Sequence, residues 1–519
     1  MNIMNFMEEK TAYDRAIEDY TQAIKLNPNG TEAHSNRGVE DTHKGKYDRA
    51  IEDFSRAIKL NPMDAEVFSN RGVAYAYSGN NDKALEDFSE AIRLRERYTL
   101  AYYNRGVFFY KKGDLDKSLQ DYTQAILCST EDAPSYYNRS IVYAEKKLYD
   151  KAIDDATQAI KYNPKYMPAY VLRTILYAEK GDLQQGMQEL TALIKQNPSH
   201  TQLYINRGVM YYKLGDSPRA LEDLTAAIKA NPRYAMAYIN RGVVYAKTGN
   251  YDKALDDYTQ ALKYGFSSLA YMNRGIAYIT KKDYLHGLED LTQAIALAPK
   301  CPEVYSNRSA AYLYKEMYAQ AVADAAKAIE RNPQYMPAYA NQGAGYIYLE
   351  QYDKAIESYT QGIELSPNSA DLYASRGHAY FKKKAYDDAI ADFTQAIQVA
   401  PENAQLYINR GNAYYHKRDY QRAIEDASEA IKLKPKLAEA YSNRSAAYVQ
   451  KRDYRHAIED ASAAIAHNPG MTEAYINQGV AYVQLKEYVL AHKTFTDVLK
   501  INSRLPQVTA MLEMLRELV

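Results

Sequence analysis

Residues 201–234 read TQLYINRGVMYYKLGDSPRALEDLTAAIKANPRY, and this stretch decides the fold. Tyr204, Asn206, Arg207, Gly208 and Tyr211 recur as Tyr238, Asn240, Arg241, Gly242 and Tyr245. They recur again as Tyr407, Asn409, Arg410, Gly411 and Tyr414. A fixed period of 34 residues means a solenoid, whose function lies in its surface. Counted from Thr31, full repeats begin at 31, 65, 99, 133, 167, 201, 235, 268, 302, 336, 370, 404, 438 and 472. The unit 235–267 is one residue short and ends in Lys263-Tyr264-Gly265-Phe266, where its neighbours carry Asn-Pro.

The periodicity within a repeat is helical twice over. Tyr204, Gly208 and Tyr211 form the buried stripe of helix A; Ala220, Leu224, Ala227 and Ile228 form that of helix B. Small residues at Gly208, Ala220 and Ala227 admit close approach of the two helices. Gly215-Asp216 breaks the chain between them, and Asn231-Pro232 ends the second. No strand-like alternation is present.

The recurring large residue, small residue, Tyr, Ala and Pro resemble the tetratricopeptide repeat family across essentially the whole chain. The resemblance implies an all-α fold: a right-handed α-solenoid of antiparallel helix pairs, a superhelix whose concave face is lined by the A helices. The expected organisation is an incomplete repeat at 1–30, a continuous array of fourteen units over 31–505, and a capping helix over 506–519. In the cap, Val508, Met511, Leu512 and Leu515 share one face, and Pro506 fits its first turn. The first full unit carries His34 and Asp41 where others have Tyr. Polar groups on a buried stripe are costly, so this helix is expected to face water. Unit 167–200 departs most in the middle, with Leu172, Thr174, Gly186 and Leu193, and reads as a drifted repeat whose helices are pushed apart.

Composition narrows the function. Lys+Arg and Asp+Glu are equal at 65 each, which supplies no global field for nucleic acid. Cys128 and Cys301 lie five repeats apart, so a disulfide framework is not expected and a reducing, cytoplasmic setting fits. No apolar run has the length of a membrane span, and the N-terminal MNIMNFMEEK lacks the pattern of a signal peptide. No Gly-rich phosphate loop, metal-binding spacing or nucleophile motif occurs, so no cofactor, metal or catalytic residue is expected. His378 and His416 lie one unit apart, but without a third ligand they read as solvated groove residues.

Twelve of the fourteen units have Arg at position seven, and all twelve have an acid sixteen residues later. The two others pair Gln342 with Ser358 and Gln478 with Thr494. This covariation predicts ion pairs between helices A and B of one repeat, such as Arg207 with Asp223 and Arg241 with Asp257.

Asn occupies position six in twelve units, and Leu172 and Ser375 are the exceptions. In peptide-binding members of the family, asparagines here bond the backbone of an extended ligand. The resemblance makes Asn104, Asn138, Asn206, Asn240, Asn273 and Asn307 candidates; the alternative is helix-to-helix glue. An amide offers donor and acceptor together, so it suits a peptide group. The large apolar set Tyr103, Val107, Tyr110, Ile205, Val209, Tyr212, Ile239, Val243, Met272 and Ile276 would shape the groove. Units nine to thirteen carry smaller or more polar residues there. The carboxylate clamp of chaperone-associated members is not matched: no unit has Lys at position five, and only Asn412 occupies position nine. The expected function is a non-enzymatic scaffold that binds an extended peptide or partner segment in the concave groove. Alternatives are a structural protein that forms homo-oligomers through the ends of its superhelix, or a sensor subunit of an enzyme encoded elsewhere.

Overall fold

The computed structural model describes residues 3–502 and 504–516, with side chains from Tyr13 onward. Residues 517–519 of the expected cap, and the first two residues of the chain, lie outside them. Among the described residues, 30 helices follow one another and no strand forms. Two compact units are present, Met1–Val244 and Tyr245–Val519. The first opens with the helix Ile3–Leu26 and continues through six helix pairs, from Thr31–His43 to Ser217–Ala230. The second opens with Tyr251–Tyr264, continues through seven pairs from Ser268–Thr280 to Tyr488–Ile501, and closes on Pro506–Leu515. Within each unit every helix packs on the next, and the A helices of successive repeats also touch. The fold is an α-solenoid of antiparallel helix pairs.

Volume matching between position eight of helix A and position 24, on helix B, holds each pair together. A methyl group on Gly72 would lie 2.8 Å from the Phe88 ring, and one on Gly343 would lie 2.7 Å from Tyr359. Only glycine admits those rings. Where position eight is serine, the facing residue shrinks to alanine: Ser140 faces Ala156, Ser309 faces Ala325 and Ser445 faces Ala461. The hydroxyl then donates to a helix B carbonyl, Ser140 to Ala152 at 2.6 Å and Ser309 to Ala321 at 2.7 Å. Lost ring volume is thus offset by a satisfied polar contact in the core. Alanines 50, 57, 220, 227, 389 and 396 are fully buried beside these sites.

Unit 167–200 departs from this rule: position eight is Thr174, which donates to the Val171 carbonyl of its own helix and faces Leu190. Its two helices, Met167–Lys180 and Leu183–Gln196, pack less closely than in other repeats. Gly186 leaves a space that the fully buried Met210 of the next repeat fills; a Cβ there would lie 2.6 Å from the methionine methyl. A missing methyl and an oversized neighbour cancel in volume.

The first full repeat overturns one expectation. His34 and Asp41 do not face water; they are 7% and 0% exposed. Within the incomplete repeat at 1–30 a single helix, Ile3–Leu26, forms and packs on Thr31–His43. His34 makes two polar contacts, Nδ1 with Asp53 at 3.2 Å and Nε2 with the Pro28 carbonyl at 3.1 Å. Arg49 Nε lies 2.9 Å from Asp41 Oδ2, yet neither carboxylate oxygen has a hydrogen bond of good geometry. Burial pushes the Asp41 carboxyl above its ordinary range, with Arg49 pulling the other way.

The turn between helices A and B needs one residue with left-handed backbone. Glycine supplies it at Gly45, Gly79, Gly113, Gly181, Gly215 and Gly249, with φ between 74° and 96°. In eight other repeats a long side chain holds the same conformation, from Lys147 at φ 58° to Lys486 at φ 62°. Each such residue costs about 1–2 kcal/mol relative to right-handed backbone.

Two outcomes follow from this geometry. Lys147→Gly should stabilise the chain by about 0.5–1 kcal/mol, since relief of left-handed strain outweighs the added freedom of the unfolded chain; its urea midpoint reads this. Asp41→Asn should raise the urea midpoint at pH 7. An acid with a raised folded pKa weakens the fold once ionised, so the gain should shrink as pH falls toward the unfolded carboxylate value.

Candidate interaction surface

Arginine at position seven fixes the orientation of every A helix that carries it. Arg207 donates from Nε and Nη2 to the two oxygens of Asp223, both at 2.8 Å. The same fork joins Arg71 to Asp87, Arg139 to Asp155, Arg274 to Asp290 and Arg410 to Asp426. The pair is largely buried, with side chains 17% and 6% exposed for Arg207 and Asp223. The Asp223 hydrogen bond holds the Arg207 guanidinium above its already high ordinary pKa.

The sequence reading missed a third arm. Arg207 Nη1 donates to Thr191 Oγ1 of the preceding repeat at 3.2 Å. Arg71 reaches Ser55 and Arg376 reaches Thr360 in the same way. Arg241 donates to Thr225 at 3.2 Å; Asp257, its expected acid, is buried in the second unit. Each acid is followed two residues later by Ser or Thr, except Asp324, which is followed by Ala326. The next repeat is one of the two that lack Arg and carries Gln342 instead. That hydroxyl was the missing signal: arginine requires an acid in its own repeat and accompanies a hydroxyl in the one before.

The asparagines also bond within the chain. Asn104 donates to Ser69 Oγ at 3.2 Å and Asn138 to Tyr103 Oη at 2.9 Å, each 35 residues back, on the preceding A helix. Asn206 accepts from Gln202 at 2.9 Å and lies 3.4 Å from Thr174 Oγ1. Asn240 donates to the Met236 carbonyl. Asn273 and Asn307 are half-buried. Outside the candidate set, Asn341 and Asn477 bond the carbonyls of Ser306 and Ser442.

The candidate apolar residues divide by depth. Ile205 and Ile239 are 3% and 1% exposed. They belong to the core and offer no wall to a ligand. Ile205 packs with Ala220, Leu224, Ala237 and Val244, and Val209 and Tyr212 lie against that cluster. Tyr103, Val107, Tyr110, Val243 and Met272 are half-buried, and Ile276 is exposed. Tyr110 donates to Glu145 of the next repeat. That bond, with burial, pushes its phenol up to about 12.

In the first unit, Tyr103, Asn104 and Val107 meet in one cleft. It lies between the helices Ala65–Ser78 and Thr99–Lys111, has a volume of about 380 Å³, and is also lined by Val73, Tyr77 and Lys111. Lys111 Nζ sits 4.5 Å from the centre of the Tyr77 ring. In the second unit a larger cleft, about 720 Å³, is lined by Ala344, Tyr348, Tyr352, Asp371, Ala374, Ser375, His378, Lys382 and Asn409. Size ranking of apolar residues points away from this place. Small side chains at 344, 374 and 375 open the volume that larger ones would fill. Burial, assisted by Lys382, pushes His378 below its ordinary pKa. Among the described residues no cluster of ligands could hold a metal ion, and no helix is long and apolar enough to cross a membrane.

A repeated helix pair with a fixed internal bridge and open clefts between A helices defines a solenoid of the protein-interaction class. Models described as tetratricopeptide repeat match residues 172–222, 205–270, 245–300 and 444–505, residue range 404–437, and ranges 100–127, 133–166 and 302–335. One described as TPR repeat matches 40–77, 74–113, 343–384 and 377–417. The chain belongs to the tetratricopeptide repeat family. Among solved structures, the APC/C hetero-tetramer Cut9–Hcn1 is similar at 15% identity, covering 79% of this chain and 94% of that one, with a TM-score of 0.44. A tetratricopeptide repeat protein from Parabacteroides merdae is 21% identical, covering 48% of this chain and 98% of its own, with a TM-score of 0.41. Naa15/Naa10 bound to HypK-THB is 15% identical over 98% of this chain and 94% of that one, with a TM-score of 0.38. No curated protein matches the sequence.

Breaking the bridge on one side should be worse than removing it. Arg207→Leu or Asp223→Leu alone should cost about 3–5 kcal/mol, because each strands a mostly buried charge. The double change should recover most of that loss in urea unfolding; additive losses would contradict the bridge.

Proposed function

We propose that the chain is a non-enzymatic scaffold that holds an extended segment of a partner protein against its A helices. The carrying observation is the cleft in the first unit where Tyr103, Asn104 and Val107 meet beside Val73, Tyr77 and Lys111. An extended segment alternates its side chains, so one can enter the cleft while the flanking peptide groups meet amides at the rim. Asn104 spends one N–H on Ser69; an amide has a second N–H and a carbonyl to give. The asparagines therefore serve both stacking and ligand. Apolar anchoring comes from Tyr103, Val107 and Tyr77, and Lys111 sets the charge at one end. The wider cleft of the second unit, with Ser375, His378 and Asn409, suits a bulkier or more polar side chain.

Selection of a displayed library of unstructured peptides on the full chain tests this reading. Peptides recovered should bind Val107→Asp at least tenfold more weakly, with helicity by circular dichroism unchanged. Ala344→Leu with Ala374→Leu, which fills the second cleft, should leave peptides that depend on Val107 unaffected. Peptides that bind the Val107→Asp protein as tightly as the parent would remove the first cleft from the function.

A further inference from the structure

Four successive repeats of the second unit place a basic residue at the strained turn position between helices A and B. Lys384, Arg418, Arg452 and Lys486 hold φ of 66°, 67°, 63° and 62°. The two preceding repeats carry acids there, Glu316 and Glu350, and six other repeats of the chain use glycine. The turn therefore does not require a cation, and glycine serves it with less strain. Strain retained at four consecutive sites of one sign points to a surface role.

The local carboxylates are largely committed elsewhere. Lys383 pairs with Asp353, Lys417 with Asp387, Arg422 with Asp419 at 3.5 Å and His456 with Asp453 at 2.7 Å. Asp388 and Glu487 are further acids along the row, and Glu350 stands at its start, at the turn of the repeat before Lys384. Lys384, Arg418 and Arg452 are exposed, and among the described residues they form no ion pair.

We propose that this edge docks an acidic, extended segment of a partner protein, separate from any ligand of the A-helix clefts. Successive A helices here are in contact, and packed helices lie about 8–10 Å apart. An extended chain advances about 3.3–3.6 Å per residue. A cation on every repeat is therefore matched by a carboxylate at every third residue. Exposed pairs are individually weak, so the row acts as a unit and its contact is sensitive to salt.

The test uses the full chain and a fluorescent peptide with Glu at every third position between Gly and Ser spacers. Anisotropy at low salt compares the parent with the triple variant Lys384→Gly, Arg418→Gly, Arg452→Gly. The variant should bind about tenfold more weakly yet unfold at a higher temperature, because it loses charge and strain together. The corresponding Asn variant, which tolerates the turn and keeps a side chain, should also bind weakly. Equal binding by parent and variants, or no binding by the parent, would overturn the proposal. So would equal affinity for a peptide with the same glutamates in one block, or tighter binding of a single-stranded oligonucleotide of equal charge.

Discussion

The guanidinium at position seven is asked to do two jobs with one planar group. Two of its donors close a fork on the acid of its own helix B, and the third reaches a hydroxyl on the helix B before. Pairing within a repeat and stacking between repeats are thereby set by the same atoms. Lysine could not substitute, since a point charge has no fork to orient. The net stability from such a pair is small, because desolvation offsets most of the Coulomb gain. What it contributes is register: a helix A rotated by one residue would bury a cation facing the wrong neighbour. In the repeat that begins at 336 the bridge is absent, and Ser358 donates instead to Gln342 at 2.9 Å. Neutral partners replace charged ones together, which is what a buried network permits and a single loss does not.

Around that polar fix the apolar core is a matter of volume. Gly72 against Phe88 and Ser140 against Ala156 are two solutions of one packing problem. Gly186 against Met210 is a third, solved across repeats. Because most repeats solve this packing within the helix pair, substitutions on the A helix can vary at the positions that face away from helix B. The clefts arise there. Small residues at 344, 374 and 375 leave space that Tyr103 and Val107 narrow in the first unit.

The helix pairs, their order and the Arg–acid bridge were legible because each is written many times, so covariation within one chain replaces an alignment. Contacts between repeats were less legible. The hydroxyl two residues after the acid, absent only after Asp324, is nearly as regular as the acid itself, but its partner lies sixteen residues onward in the next repeat. Depth was also hidden: Ile205 and Val107 share an A-helix character in sequence, and only packing separates a core position from a cleft wall. His34 and Asp41 misled for a related reason. Polarity on a buried stripe signals solvent only if no partner exists, and His34 finds Asp53 and the Pro28 carbonyl.

The asparagines show why a repeated residue need not have a single role. An amide on the A helix of a solenoid lies beside the preceding A helix whatever else it does, so Asn138 meets Tyr103 and Asn341 meets Ser306. These bonds hold each amide in one orientation, which lowers the entropy lost when a second partner arrives. A side chain already fixed by stacking is better prepared for a peptide group than a free one. In the function proposed above, the structural and binding readings of the ladder are consecutive uses of the same group, the geometry of the first setting the direction of the second.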